Sequence, residues 1–213
     1  MKTKWGEAIN GRYRLLGISL LSLIFMLTLR WVTYALSGAP EIALALGEPW
    51  EDMRQRSSAE IAQAIPNEIW FLMPESDARL RFIDRQYGFE TPVARFFTIG
   101  FENERVRNVR MSPQVEPLLL DDALKVVLNL QDLWRAKGWL AMRRISAPPF
   151  ADAPEWRRLF RDPSKGGVTY WQAGDRYQIL LGMNRFKDDR NPDQERYMIT
   201  MGLGRPWLPE HIE

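Results

Sequence analysis

The sequence predicts an α+β protein: a single N-terminal transmembrane helix, then one domain with an antiparallel sheet packed by one long helix and short helices. Three observations lead there. Leu15 to Leu29 carries no charge, which marks a membrane segment rather than an amphipathic surface helix. Two stretches, Ile69 to Arg110 and Val168 to Leu203, break into short apolar or alternating runs separated by turn residues, the pattern of antiparallel strands. Between them, Ala123 to Lys137 repeats its apolar residues at helical spacing.

The elements follow in chain order. Residues 1–14 form a cytoplasmic tail with Lys2, Lys4, Arg12 and Arg14 against Glu7. Residues 15–36 form the anchor. Leu15 to Leu29 alone would span about 22 Å as a helix, short of a hydrocarbon core of roughly 30 Å. If Arg30 snorkels to the headgroups, the span extends to Leu36, about 33 Å, and sets Trp31 and Tyr34 at the interface. Glu41, Glu48, Glu51 and Asp52 follow the segment. The positive-inside rule then leaves the N-terminus in the cytoplasm and the domain in the periplasm, single-pass in the inner membrane. The competing reading is a cleaved signal peptide ending at Ser37-Gly38-Ala39; Arg30, the bulky aromatics and Pro40 stand against it.

Residues 37–48 read as a linker, with Gly38, Pro40 and Gly47, and 49–213 as the extracytoplasmic domain. Pro49 suits the first position of a short helix. Ser57 or Ser58 can cap a further turn over Ala59 to Ala64, ended by Pro66. The runs around Ile69–Met73, Leu80–Phe82, Val93–Phe101 and Arg105–Arg110 read as one meander of three or four strands. Asp121 or Asp122 would cap the long helix, and Lys137-Gly138 would end it. Glu155 to Arg161 reads as a short helix. A hairpin over Val168–Gln172 and Arg176–Phe186 and a last strand over Arg196–Leu203 complete the sheet. Thr98-Ile99-Gly100-Phe101 echoes Thr200-Met201-Gly202-Leu203, too short a repeat to support a duplication.

Composition narrows the chemistry. Of 213 residues, 46% are hydrophobic and 26% charged, with nine Trp and ten Phe, which makes a globular chain. The net charge is only +2, from 29 cations and 27 anions, with no concentrated basic face, so no nucleic-acid partner is expected. No cysteine is present, which removes disulfides, thiolate metal sites and cysteine nucleophiles. The one histidine, His211, lies near the C-terminus, against a catalytic triad or a multi-histidine metal site. Asp189-Arg190-Asn191-Pro192-Asp193 begins like a calcium loop, but Gln194 stands where glycine is required and Thr200 where a bidentate glutamate is. No cofactor or metal is expected, and no enzyme. A carboxylate-only enzyme acting on cell-wall polysaccharide is the alternative, with Asp84, Glu90, Glu102 and Asp175 near strand ends.

The candidate partner-binding residues are Arg143, Arg144, Trp156, Arg157, Arg158 and Arg161. They cluster with Arg135, Trp134 and Trp139 around the helix end and the connector, and arginine and tryptophan are the usual anchors of protein interfaces. The plain alternative is solvated helix faces over core tryptophans. Trp207-Leu208, held between Pro206 and Pro209, is either a docking tail or a lid on the sheet. The expected function is thus a membrane-anchored periplasmic protein-binding module. An immunity protein neutralising a secreted toxin is the first form of it, and an accessory subunit of an envelope secretion or division complex the second.

Overall fold

In the computed structural model, residues 38–142, 147–187, 189–190 and 194–209 are described. The chain divides into Met1–Gly38 and Ala39–Glu213, and the second unit holds every element below. The segment read as an anchor, 15–36, lies outside the described residues. Among those that are described, no helix is long and apolar enough to cross a membrane.

Alternation builds the main sheet. Strands β1 (Glu41–Leu44), β2 (Ile69–Leu72), β3 (Arg79–Phe82), β4 (Phe89–Glu90), β5 (Phe97–Glu102), β6 (Arg105–Met111), β7 (Leu140–Ala141), β8 (Gly166–Ala173), β9 (Tyr177–Phe186) and β10 (Arg196–Gly204) are joined by helices α1 (Trp50–Arg56), α2 (Leu120–Ala136) and α3 (Pro154–Arg161). Seven strands form an antiparallel sheet in the order β2-β5-β6-β10-β9-β8-β7, and β1-β3-β4 form a small second sheet. The domain is therefore α+β, with a large antiparallel sheet and three helices.

On the large sheet, every second residue points to the core: Phe97, Ile99 and Phe101 on β5, Ile179, Leu181 and Met183 on β9, and Tyr197, Ile199, Met201 and Leu203 on β10, all buried. The small sheet and α2 share this core through Ile42, Leu80, Phe82, Leu124, Val127 and Trp134. The buried residues of α2 are Leu120, Ala123, Leu124, Val127, Leu130, Gln131 and Trp134, one stripe of a 3.6-residue period. The helix starts one turn earlier than the sequence suggested. Leu119 occupies the N-cap without a side-chain cap bond, and Asp121 and Asp122 sit in the first turn, where they favour the helix dipole instead of capping it. Gly138 ends it in the left-handed region (φ 84°), with the Trp139 amide donating to the Trp134 carbonyl at 3.0 Å.

Three sequence expectations are corrected. The stretch 37–48 is not a linker throughout: Ile42, Ala43 and Leu44 are buried in a strand paired parallel to β3. Ser57 and Ser58 do not cap a turn over 59–64. Their hydroxyls accept the amides of Ala43 and Glu41, both at 3.0 Å, and so hold α1 against β1. The single meander is two sheets, because β3 leaves β2 to pair with β1 and β4, and β2 pairs with β5. The last hairpin and β10 lie within a residue or two of their expected bounds.

Buried polar side chains fix the connections. The Gln131 amide group donates to the Phe150 carbonyl and accepts its amide, each at 2.9 Å, which pins the proline-rich connector to α2. The connector and α3 then lay three rings over Gly167. A Cβ there would lie 2.7 Å from Phe150, 2.8 Å from Phe160 and 2.8 Å from Trp156. Gly167→Ala is expected to cost about 1–3 kcal/mol through overpacking, read as a lower urea midpoint with an unchanged slope.

Asp84 ties the small sheet to β9. Its carboxylate accepts the amides of Gln86 and Tyr87, both at 2.8 Å, the Tyr177 hydroxyl at 3.1 Å and Arg176 at 3.2 Å. Burial pushes this carboxyl up, but the hydrogen bonds and the Arg176 charge outweigh it and hold it below the usual range. A depressed folded-state value makes the contribution fully present above the unfolded value of about 3.9, and lost as pH falls through the lower folded one. Asp84→Asn is expected to cost about 1–3 kcal/mol at neutral pH. The gap to wild type should narrow in urea melts run at progressively lower pH.

Candidate functional site

Among the described residues, no helix lies on the face of the large sheet opposite the core. Strand alternation puts Thr98 and Glu102 of β5, Asn108 and Arg110 of β6, Leu180 of β9 and Thr200 and Gly202 of β10 on this side, where they line a groove of about 1280 Å³. Phe71 of β2 closes one end. Trp207, Arg205 and Pro206 of the C-terminal tail border it at another. The tail folds back: the Gln178 side chain accepts the amides of Trp207 and Leu208 at 3.3 and 3.1 Å and donates to the Leu208 carbonyl at 3.1 Å. Trp207 remains 46% exposed, so it walls the groove instead of filling the core.

Glycine makes the floor. A Cβ at Gly202 would have no neighbour nearer than 3.9 Å, which leaves bare backbone open to a ligand. Gly100 is instead covered: Asn108 Oδ1 would lie 2.3 Å from a Cβ there and Phe71 Cε1 3.2 Å. The β5–β6 register shifts between Gly100 and Phe101, where Phe101 pairs with Val106 and Gly100 with Asn108. This bulge inserts Arg107 on β6, and such a bulge re-aims neighbouring side chains. Arg105, Arg107 and Arg110 consequently all line the groove.

The charge is one-sided. Four guanidinium groups, from Arg105, Arg107, Arg110 and Arg205, face the single carboxylate of Glu102. Glu102 lies 3.7 Å from Arg107, and both are about half exposed. Arg105 donates to the Gly47 carbonyl at 2.9 Å. Arg110 and Arg205 form no ion pair among the described residues. The groove therefore offers two uncommitted cations, a hydrogen-bonding floor and two aromatic walls.

The arginine cluster expected from sequence is differently employed. Arg143 and Arg144 lie outside the described residues. Trp156, Arg157, Arg158 and Arg161 share α3. Trp156 stacks on Phe160 at 5.3 Å and meets Phe150 edge-on. Arg157 bonds Asp152 and Asp121, both at 2.6 Å, and these partners raise its pKa further. Arg161 sits 3.7 Å from Glu195, and Arg158 4.0 Å from Glu155. Trp134 and Trp139 are core residues. Of the carboxylates considered for catalysis, Asp84 is saturated by the four donors above, and Glu90 is 3.8 Å from Arg79. Among the described residues, no group of three or more His, Asp or Glu could hold a metal.

Sequence reasoning had located the β6 arginines only as strand residues. The strand order that gathers them beside β10 was not readable there. No protein-family model, curated protein or solved structure matches the chain.

Proposed function

We propose that this chain is a membrane-anchored protein-binding module, held by residues 15–36 in the inner membrane with its domain in the periplasm, and that it engages an acidic surface of another protein on the open face of the large sheet. The observation that carries the reading is the groove itself: a sheet face on which, among the described residues, no helix lies, Arg110 and Arg205 form no ion pair and Gly202 is bare. The uncharged segment before the domain, with cations ahead of it and acids behind, supports the anchor and its orientation. Arginines without an ion pair among the described residues, beside aromatic walls, suit a charge-complementary protein contact. An immunity protein that neutralises a secreted toxin needs one such face for one tight partner. That is the form of the reading preferred here over an accessory subunit of an envelope complex. Catalysis is not proposed, since the most buried candidate carboxylate, Asp84, is held ionised by structural bonds.

The test is a pull-down of the tagged full-length chain from detergent-solubilised membranes, with mass spectrometry of what it retains. One stoichiometric, acidic, toxin-like protein is the expected result. Several subunits of one envelope machine would replace immunity by the accessory role, and an empty pull-down would overturn both.

A further inference from the structure

Gln178 alternates with Ile179 and Leu181 of the core, so it points to the groove side of the large sheet. It is nevertheless 0% exposed, because the C-terminal tail covers it. Its Oε1 accepts the Trp207 and Leu208 amides at 3.3 and 3.1 Å, and its Nε2 donates to the Leu208 carbonyl at 3.1 Å. Among the described residues, no backbone–backbone hydrogen bond joins 205–209 to the rest of the chain, so this one side chain carries the attachment of the tail backbone. The amide is also held in one orientation. Nε2 lies 3.2 Å from both Gln172 Oε1 and Met142 Sδ, and Gln172 Nε2 donates in turn to the Gly174 carbonyl at 2.9 Å. A backbone carbonyl can only accept, so this chain of bonds aims Oε1 of Gln178 at the tail amides.

What the tail presents to the groove sits over glycine. A Cβ at Gly204 would lie 3.5 Å from Cζ3 of Trp207, and one at Gly47 would lie 3.7 Å from Nη2 of Arg205. One of the two arginines without an ion pair among the described residues, and one of the two aromatic walls, thus belong to the tail and not to the sheet. We infer that Gln178 is the positioning residue of the groove: its side-chain amide latches the tail over β9 and β10, and so holds Arg205 and Trp207 in the site with Arg110 and Phe71. The inference deepens the reading of the groove as the face for an acidic partner and rests on it. The partner is then gripped from two sides, by the sheet and by the tail. Without the latch, the Trp207 and Leu208 amides lose their partner if the tail stays and are hydrated if it leaves, so the tail leaves. The groove then keeps Arg110 and Phe71 alone.

Fluorine NMR of the full-length chain in detergent, labelled with fluorotryptophan, reads the latch directly. The Trp207 resonance is the one that Trp207→Phe removes. Gln178→Leu should move it to the position of a solvent-exposed indole and leave those of Trp134 and Trp171 in place. Leu208→Pro, which deletes one latch bond from the tail side, should move it the same way. Gln131→Leu breaks the buried bonds to Phe150 instead, and should lower the urea midpoint with the Trp207 resonance unmoved. Binding of poly-L-glutamate at low salt then reads the site. Arg205→Ala should weaken it about fivefold in the wild type and less than about twofold in Gln178→Leu, whereas Arg110→Ala should weaken it about fivefold in both. A Trp207 resonance unmoved by Gln178→Leu and Leu208→Pro, or moved equally by Gln131→Leu, overturns the inference. So does an Arg205→Ala effect of the same size in Gln178→Leu. A wild type that does not bind polyglutamate overturns the acidic-partner reading of the groove instead, and the Trp207 resonance alone then decides the latch.

Discussion

Trp134→Ala is expected to lower the unfolding free energy of the domain by about 3–5 kcal/mol, the range for emptying a fully buried tryptophan site. Trp134 is wholly buried and stands where α2, the small sheet and the large sheet meet. Its ring lies 5.7 Å from Phe89 of β4 and 5.7 Å from Trp171 of β8. Among the described residues its indole N–H finds no hydrogen-bond partner, so removing the ring breaks no hydrogen bond, and relief of the unpaired donor offsets only part of the lost packing. A domain of this size is stable by about 5–15 kcal/mol, and the variant should therefore show a large fall in urea midpoint and reduced yield. Trp134→Phe separates the causes. It keeps most of the ring and deletes the unpaired donor, so its loss should be well under that of alanine. Trp207→Ala, at the half-exposed groove wall, should change the midpoint little. A Trp134→Ala domain as stable as wild type would mean that the α2–sheet core described above is wrong.

The contrast between these tryptophans bears on what sequence can reveal. α2 was legible because its stripe from Leu124 to Trp134 repeats over several turns, and β9 and β10 because a long strict alternation admits one reading. β1 was not. Ile42-Ala43-Leu44 is a short apolar run among Gly38, Pro40 and Gly47, and its partner, β3, lies beyond α1 and β2 in the chain. A parallel pair across such a crossover leaves no local trace. β3 was assigned to the wrong sheet because consecutive strands usually pair, and here β2 skipped to β5. The groove was hidden for a related reason. Its residues are scattered over five strands and the tail, and only the order β2-β5-β6-β10-β9 makes them adjacent. One clue was present: Thr98-Ile99-Gly100-Phe101 and Thr200-Met201-Gly202-Leu203 prove to lie on the two strands that flank β6. Both put threonine and glycine outward and apolar residues inward. The echo reports a shared environment on either side of the β6 arginines.

Arg110→Glu/Arg205→Glu is expected to reduce capture of the partner by 100-fold or more, since reversing two charges that face an acidic surface replaces attraction by repulsion of several kcal/mol. Neither arginine has an ion pair to lose among the described residues, and surface changes of this kind alter stability by about 0.5 kcal/mol or less. The urea midpoint should therefore stay put while binding disappears. Wild-type binding should also weaken as salt is raised, because exposed charges are screened. Charge alone would not distinguish a fitted groove from a diffuse basic patch, and Gly202→Phe does. A side chain there meets nothing nearer than 3.9 Å, so the fold accepts it, but the ring occupies the floor. Binding lost in Gly202→Phe at unchanged charge would locate the partner against the glycine backbone, and binding lost only in the charge reversal would place it on the rim. Retention of the partner by both variants would move the contact off this face, to the exposed arginines of α3, where Arg158→Glu becomes the variant to measure.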